Sequence, residues 1–351
     1  MLGRERILRT LRGEPVDRQP VFYRAYPEVN QPVMRALSLS SPDAVAAYFG
    51  SDAVPSPLVR RPFEPMPTGE PDTHYDLYGS LHKTTNRDGL YSDAVIGPVL
   101  GAAQSVGEIE AFRMPDIDCI DYEASGQAAQ AAHETGLAVY GGAWASIFTL
   151  SRQLMGEENF LVGLFEEPEM IAALVGKVTD YFIAINERFF REYAPFVDVF
   201  YFGSDFGTQR SLFMGPSEFR TFFKPNMKRL ADHAHSFGLP VMFHTCGAVR
   251  PLIPDLIEIG IDMLDPVQAD AEGMSCDELA QYRGKIVFHG GISTQHTLPF
   301  GTPAEVAAET RRLMKALGPG LVVAPDQDMI GAVPVENIEA LFRTARAYRP
   351  S

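Results

Sequence analysis

The chain has 351 residues, of which 46% are hydrophobic and 21% charged, and its formal net charge is −15. This composition is typical of a globular protein and excludes a disordered, collagen-like or coiled-coil chain. A uniformly acidic chain repels phosphate backbones and anionic lipids, so we expect neither nucleic acid nor a membrane as a partner.

The cysteine content predicts a reducing environment. The chain has three cysteines, Cys119, Cys246 and Cys276, and no two of them have the spacing of a CxxC motif. An odd number without that spacing argues against a disulfide framework. The first residues are charged where a signal peptide would be apolar, and no run of about 18 apolar residues follows. We therefore expect a cytoplasmic protein.

The first third of the sequence predicts short elements interrupted by prolines. A helix over 4–11 ends at Gly13 and is followed by a short strand over 20–23 and helices over 33–37 and 42–49. Prolines between 55 and 71 break any long element, and short strands are predicted over 75–78, 81–85 and 90–95. We interpret 55–117 as a loop-rich insertion over the mouth of a single domain that spans 1–351.

From residue 122 onward, short apolar strands alternate with amphipathic helices. The strands are predicted over 137–140, 197–202, 240–244, 262–264, 285–289 and 320–323. The helices are predicted over 122–135, 146–163, 168–193, 217–237, 249–259, 276–282, 303–317 and 335–347. This alternation predicts a parallel sheet with helices outside. With strands at 20–23 and 53–54 the count reaches eight, which predicts a (β/α)₈ barrel. The alternative is an open doubly wound sheet. The absence of a GxGxxG motif after the first strand argues against it.

In such a barrel the functional residues lie where strands end and helices begin. Polar and reactive side chains concentrate at these predicted ends, namely Arg24, Asp52, Trp144, Asp205, His244, Cys246, Asp265, Gln268, His289 and Asp326. Tyr201 lies within the strand before Asp205, and Gln209 lies in the loop after it. We expect Arg24, Trp144, Tyr201, Gln209, Gln268 and His289 to bind a small-molecule substrate.

His244 and Cys246 end one of these strands and have the spacing of a metal site. Residues i and i+2 of an extended chain face the same side, so the imidazole and the thiol can share one ion. Both are good zinc ligands. For a third ligand we favour Asp326, with Asp328, Asp265 and His289 as alternatives. The competing interpretation is a buried cysteine packed beside a hydrogen-bonded histidine.

Three other side chains have alternative interpretations. Asp205 follows an aromatic strand, where partial desolvation suits a general acid or base, although it can equally cap a helix. Arg24 can clamp a substrate carboxylate or phosphate, or form a surface ion pair. Trp144, the only tryptophan, can form a flat wall for a planar substrate or pack in the core.

Several segments together resemble the uroporphyrinogen decarboxylase superfamily. They are the opening Arg4-Glu-Arg-Ile-Leu-Arg, the middle Ser204-Asp-Phe-Gly-Thr-Gln, and the later Phe243-His-Thr-Cys-Gly, Leu264-Asp-Pro-Val-Gln and Phe288-His-Gly-Gly-Ile. The resemblance covers nearly the whole chain. It implies a (β/α)₈ barrel that is often a homodimer.

The resemblance also implies two possible chemistries. In the methyltransferase branch, a His-x-Cys motif and a distant cysteine bind zinc, and the methyl group passes between a corrinoid protein and a thiol-like acceptor. His244 and Cys246 match this motif, but no cysteine lies near 326–328. True uroporphyrinogen decarboxylases use no metal. Of their binding segments only Arg24 and Asp52 have counterparts here, and the glycine, the second arginine and the late histidine are missing.

Three functions follow from these patterns. The first is a zinc-dependent methyltransferase or demethylase in which His244, Cys246 and Asp326 bind the metal and Asp205 handles a proton or orients the substrate. The second is a metal-free, porphyrin-type decarboxylase that uses Asp52, Arg24 and Asp205. The third is a barrel without catalysis that binds a corrinoid, a tetrapyrrole or another small ligand.

Overall fold

The computed structural model describes residues 1–66, 68–87 and 90–349. Ten strands are present in this part of the chain. In chain order they are β1 Ala53–Pro57, β2 Thr73–Tyr75, β3 Leu81–Arg87, β4 Leu90–Gly97, β5 Ala138–Gly142, β6 Val199–Gly203, β7 Val241–His244, β8 Met263–Val267, β9 Val287–Ile292 and β10 Leu321–Pro325.

The helices lie mainly between these strands. They are α1 Gly3–Leu11, α2 Pro27–Leu37, α3 Pro42–Phe49, α4 Val106–Ala111, α5 Tyr122–Glu134, α6 Ile147–Met155, α7 Glu157–Glu166, α8 Pro168–Tyr193, α9 Pro216–Glu218, α10 Lys224–Ser236, α11 Ile253–Ile259, α12 Cys276–Leu279, α13 Thr297–Phe300, α14 Pro303–Leu317 and α15 Val335–Ala347. Among the described residues, no helix is both long enough and apolar enough to cross a membrane.

Seven strands form one curled parallel sheet in the order β1-β5-β6-β7-β8-β9-β10. The stretch 20–24 takes the eighth position between β10 and β1. Its Phe22 amide donates to the carbonyl of Val323 at 2.9 Å, and its Val21 carbonyl accepts from the amide of Asp52 at 2.8 Å. On the β1 side, the next amide bonds the Ser51 hydroxyl rather than a backbone carbonyl, so the ladder there is short. The predicted (β/α)₈ barrel is confirmed.

The barrel interior is filled by side chains that alternate along the strands. Phe22, Tyr140, Val199, Met242 and Met263 form part of one buried cluster, and Ile7 from α1 belongs to it. Helix α1 therefore covers the amino-terminal end of the barrel. A second, larger cluster packs the outer faces of the strands against the helices. The carboxyl ends of the strands face the opposite side, where the polar residues collect.

Two long predicted helices are interrupted in the structure. The helix predicted over 146–163 breaks at Gly156, whose φ of 89° separates α6 from α7. The helix predicted over 217–237 begins with α9 and a π-helical turn before α10. Pro225 in the first turn of α10 has no amide hydrogen to donate to the preceding turn, which accounts for the irregular start.

The insertion predicted over 55–117 contains a three-stranded antiparallel sheet, β2-β3-β4; its residues 67, 88 and 89 lie outside the described part. Its described contacts run to the helices around the barrel. Tyr78 packs against Tyr181 of α8, and the amide of Leu100 donates to the carbonyl of Leu154 of α6 at 2.7 Å. A position over the mouth stays a prediction.

Candidate functional site

Asp265 is the centre of a hydrogen-bonded cluster at the carboxyl ends of the strands. It lies in β8 and is fully buried. Its Oδ2 accepts from the Tyr201 hydroxyl at 2.6 Å, and its Oδ1 is 2.7 Å from Nδ1 of His289. Burial alone would raise the pKa of Asp265, but the charge of Arg24 and the two histidines outweigh it and hold the pKa well below its usual range. Asp265 is therefore a buried carboxylate.

His244 is oriented by this carboxylate. In the parallel register His244 of β7 lies opposite Asp265 of β8, and His244 Nδ1 is 2.8 Å from Asp265 Oδ2. A carboxylate only accepts hydrogen bonds, so Nδ1 carries the proton and Nε2 faces the mouth. Burial lowers the pKa of His244, but hydrogen bonds to Asp265 and Cys246 outweigh it and raise the pKa to about 10. A metal ion at Nε2 would thus replace a proton.

Cys246 and Asp205 lie beside Nε2 of His244. His244 Nε2 is 3.3 Å from the Cys246 sulfur and 3.5 Å from Oδ1 of Asp205. The Cys246 amide also donates to Asp205 Oδ1 at 3.0 Å. In a tetrahedral zinc site, ligand atoms lie about 3.3–3.6 Å from one another, given the usual bond lengths. These two distances match that spacing.

Asp205, His244 and Cys246 form one of two groups among the described residues whose ligand atoms all lie within 4.8 Å of one another. Gln327 supports this group, because its Nε2 donates to the Cys246 sulfur at 2.9 Å. Trp144 forms a wall beside it. Its ring centre is 5.6 Å from that of His244, and 45% of its surface is exposed. The arrangement is a candidate three-ligand metal site.

Asp326, predicted as the third ligand, is not a member of this group. Its Oδ1 accepts from the amide of Thr294 at 2.9 Å and from its hydroxyl at 2.7 Å, while its Oδ2 is buried without a partner. Burial raises the pKa of Asp326 to about 6. The carboxylate that stands beside His244 and Cys246 is Asp205, which the sequence suggested as an acid or base.

Asp52, predicted as a catalytic residue, lies at the other end of the barrel. It directly precedes β1, is fully buried, and accepts hydrogen bonds from the guanidinium groups of Arg6 and Arg18 and from the Val21 amide. This position contradicts the expectation that Asp52 belongs to the mouth. The strand that it adjoins starts there instead of ending there.

The predicted substrate-binding residues separate into two groups. Arg24, His289 and Tyr201 are held by Asp265, and Arg24 also donates to the carbonyl of Pro325 at 2.9 Å. The Arg24 side chain is only 9% exposed, and its guanidinium group pairs with Asp265 of the protein instead of facing a substrate anion as predicted.

The other group lies nearer the surface or supports the loops. Gln268 is buried and its Oε1 accepts from the Gly247 amide at 2.8 Å, which shapes the turn after Cys246. Gln209 is exposed in the loop after β6. Trp144 is the predicted substrate residue that combines exposure with contact to the candidate ligands.

The sequence predicts no role for Gln327 and predicts Asp265 only as an alternative metal ligand. Both residues follow a predicted strand, so the sequence predicts that they lie at the mouth. It does not predict which side chains they contact, because those contacts depend on which strands are neighbours and in what register.

The chain matches a known family and resembles solved structures in its fold. The family model described as uroporphyrinogen decarboxylase (URO-D) matches residues 93–348, more than half of the chain. No curated protein matches the sequence. A solved methyltransferase from Methanosarcina mazei superposes with a TM-score of 0.71 at 18% identity over 98% of both chains. A xylose isomerase-like TIM barrel protein from Mycobacterium smegmatis is more distant, with a TM-score of 0.35 at 13% identity over 70% of this chain and 80% of that one.

Proposed function

The chain belongs to the uroporphyrinogen decarboxylase (URO-D) family, and from this premise we propose that it is a zinc-dependent methyltransferase. The observation that carries the proposal is the group Asp205, His244 and Cys246, whose ligand atoms converge beside an exposed tryptophan. A methyltransferase-like role also fits the fold that the chain shares with the archaeal methyltransferase.

The chemistry of the donor set favours zinc. Thiolate and imidazole ligands suit zinc, and three protein ligands with an open fourth position are typical of catalytic sites. The bond from His244 Nδ1 to Asp265 is the carboxylate–histidine pair that commonly orients a metal-bound imidazole. We infer that Asp205, His244 and Cys246 hold the ion.

The residues around the ligands have separable roles. Asp265 keeps the proton of His244 on Nδ1, and Gln327 donates a hydrogen bond that stabilises negative charge on the Cys246 sulfur. Trp144 offers a flat apolar wall beside the open position, where a methyl carrier or acceptor can pack. Zinc, when bound, lowers the pKa of a coordinated thiol and keeps a thiolate available as nucleophile at neutral pH.

The reaction that we propose transfers a methyl group from a corrinoid to a thiol. The thiol would first lose its proton to solvent. The thiolate would then attack the methyl carbon, so that a carbon–sulfur bond would form while the cobalt–carbon bond would break and leave its electron pair on cobalt. A corrinoid-binding protein as methyl donor and a homodimeric assembly stay predictions from the resemblance.

Metal analysis tests the first half of the proposal. Protein purified from zinc-supplemented cells should lose one zinc per chain when His244→Ala and Cys246→Ser are combined. Substitution with Co²⁺ adds a direct readout, because a thiolate ligand gives a charge-transfer band that Cys246→Ser should abolish. A folded wild-type protein without that band would contradict the proposed ligand set.

Free methylcobalamin with small thiols tests the second half. We expect loss of the methylcobalamin absorption together with formation of the methyl thioether, and loss of both in Cys246→Ser. Trp144→Ala should weaken use of the corrinoid while leaving the zinc content unchanged. If no methyl donor that is tested methylates the thiols, the result would contradict the methyltransferase proposal and favour a binding protein without catalysis.

Decarboxylation of a tetrapyrrole is the weaker alternative on this geometry. Arg24 is bound to Asp265 and Asp52 lies at the far end of the barrel, so two of the groups required for that chemistry are engaged elsewhere. Incubation with uroporphyrinogen should therefore give no coproporphyrinogen. Its formation at a catalytic rate would overturn the methyltransferase proposal.

A further inference from the structure

The small sheet of the insertion brings together a second group of potential metal ligands. His74 of β2, His82 of β3 and Asp93 of β4 place their ligand atoms within 4.8 Å of one another. His74 pairs directly with His82 across the antiparallel ladder, and Asp93 pairs with Thr84, two residues beyond His82. Residues opposite each other, or two apart on one strand, share a face. One ligand from each strand therefore points to the same side.

The distances within this group have the spacing of a metal site. Oδ2 of Asp93 is 3.0 Å from Nδ1 of His82 and 3.7 Å from Nε2 of His74. Ligands of a tetrahedral ion with bonds of about 2.0–2.1 Å lie about 3.3 Å apart. The ligand nitrogens of the two imidazoles also lie within 4.8 Å of each other, and the rings stack with centres 5.3 Å apart.

A fourth residue, Asp76, fixes the orientation of His82. Oδ2 of Asp76 is 3.1 Å from Nε2 of His82, and its Oδ1 accepts from the amides of Tyr78 at 2.9 Å and Ser80 at 2.8 Å. The turn thus holds Asp76 in place. His82 is nine-tenths buried, and a proton on its Nε2 leaves the lone pair of Nδ1 facing the carboxylate of Asp93.

Nδ1 of His82 and Oδ2 of Asp93 lie 3.0 Å apart, so they can share either a proton or a metal ion. The position of His74 favours a metal ion over a simple ion pair. An ion pair between His82 and Asp93 would need no second imidazole beside it, whereas a metal ion would use His74 as a further ligand. The contact between Asp76 and Nε2 of His82 also fits a metal site. A metal-bound histidine commonly donates a hydrogen bond from its second ring nitrogen to a carboxylate.

We propose that His74, His82 and Asp93 form a second metal site, which binds a divalent first-row transition-metal ion and is separate from the site at the barrel mouth. Two imidazoles and a carboxylate suit Zn²⁺, Fe²⁺ and Co²⁺. His74 and Asp93 are partly exposed, at 35% and 48% of their side chains, so the ion can enter from solvent. By joining all three strands, it ties the insertion together.

The test uses the full-length chain with His244→Ala and Cys246→Ser, which removes two ligands of the mouth site. Calorimetric titration with Co²⁺ should show one ion per chain. Its absorption should show ligand-field bands without the thiolate charge-transfer band of the mouth site. Adding His74→Ala should weaken binding at least tenfold, with the circular dichroism unchanged, because His74 is partly exposed.

Two further variants sharpen the assignment. Asp76→Asn presents an amide hydrogen to Nε2 of His82, which moves the imidazole proton to Nδ1, so we expect Co²⁺ affinity to fall about 10–100-fold. The matched control is His235→Ala, another partly exposed histidine, which is 2.9 Å from Asp262, and it should leave the titration unchanged. A folded double variant that takes up no Co²⁺, or Co²⁺ binding that His74→Ala does not weaken, would overturn the proposed second site.

Discussion

At the scale of single residues, the geometry of the candidate site depends on groups that are not candidate ligands themselves. Asp265 is bound by Tyr201, His244, His289 and Arg24, which lie on different strands or loops. Such a buried carboxylate keeps its charge because its partners replace the water that burial removes. The orientation of His244 is therefore set before any metal arrives.

The Gln327 side chain gives the first prediction at this scale. Gln327→Met keeps the size of the side chain but removes the hydrogen bond to the Cys246 sulfur. We expect zinc affinity to fall about tenfold, the lower end of the effect of residues that support metal ligands. Competition with a chromophoric chelator measures this. Gln130→Met, at an exposed glutamine bonded to Glu134, is the control and should leave the affinity unchanged.

Asp326 gives a prediction about pH. Its pKa is raised by burial to about 6 in the folded protein, above the value of 3.8 for an unperturbed aspartate. The folded state then holds the proton more tightly than the unfolded state, so this group lowers stability as pH rises through about 4 to 6. Asp326→Asn keeps an oxygen for Thr294 and does not titrate.

The variant should therefore gain about 1 kcal/mol relative to the wild type between about pH 5 and pH 8. Urea unfolding at the two pH values measures the difference. A constant difference between the two proteins would mean that Asp326 does not titrate in this range.

At the scale of elements, acidic residues just before the strands tie the amino-terminal face of the barrel together. Asp52, Asp198 and Asp262 precede β1, β6 and β8, and their side chains accept from the backbone amides of Val21, Val139 and Val241 at 2.7–2.9 Å. Asp52 also binds Arg6 of α1, which covers this end of the barrel. The carboxylate thus joins a helix to the barrel wall.

Asp52→Asn tests this structural role. Removing one partner of a buried ion pair leaves the arginines without their counter-charge, so we expect a loss of about 3–5 kcal/mol in the free energy of unfolding. Asp17→Asn removes a half-exposed partner of the same Arg6 and should cost less than about 1 kcal/mol. Denaturant unfolding compares them. A drop in the zinc content of folded Asp52→Asn would argue instead for a role at the mouth.

At the scale of the whole molecule, the barrel brings distant parts of the chain to one point. Asp205 follows β6, His244 ends β7 and Gln327 follows β10, yet all three contact Cys246. An ion bound there joins the loops after β6 and β7 in the folded state, and the unfolded chain has no equivalent site. Metal binding and stability are therefore linked.

Zinc should stabilise the fold through this linkage. At a free concentration about 100 times the dissociation constant, we expect the free energy of unfolding to rise by about 2.7 kcal/mol. The measurement is made in His74→Ala protein, so that only the mouth site responds. Adding Cys246→Ser should remove the increase, and a stabilisation that survives this change would place the ion elsewhere.

The sequence alone predicted the barrel and the polar residues at its carboxyl-terminal end. Short apolar strands alternating with amphipathic helices form either a parallel barrel or an open doubly wound sheet, and the count of eight strands favours the barrel. The His-x-Cys spacing directs two candidate ligands to one side of a strand. Only the tertiary structure shows which carboxylate lies beside His244 and Cys246. Asp205 and Asp326 both follow strands, and only the neighbouring strand and its register bring Asp205 into the candidate group. The tertiary structure also shows that Asp52 lies at the opposite end of the barrel and that Arg24 pairs with Asp265 inside it. The sequence does not predict these contacts, because the partner of a charged side chain depends on packing between segments far apart in the chain.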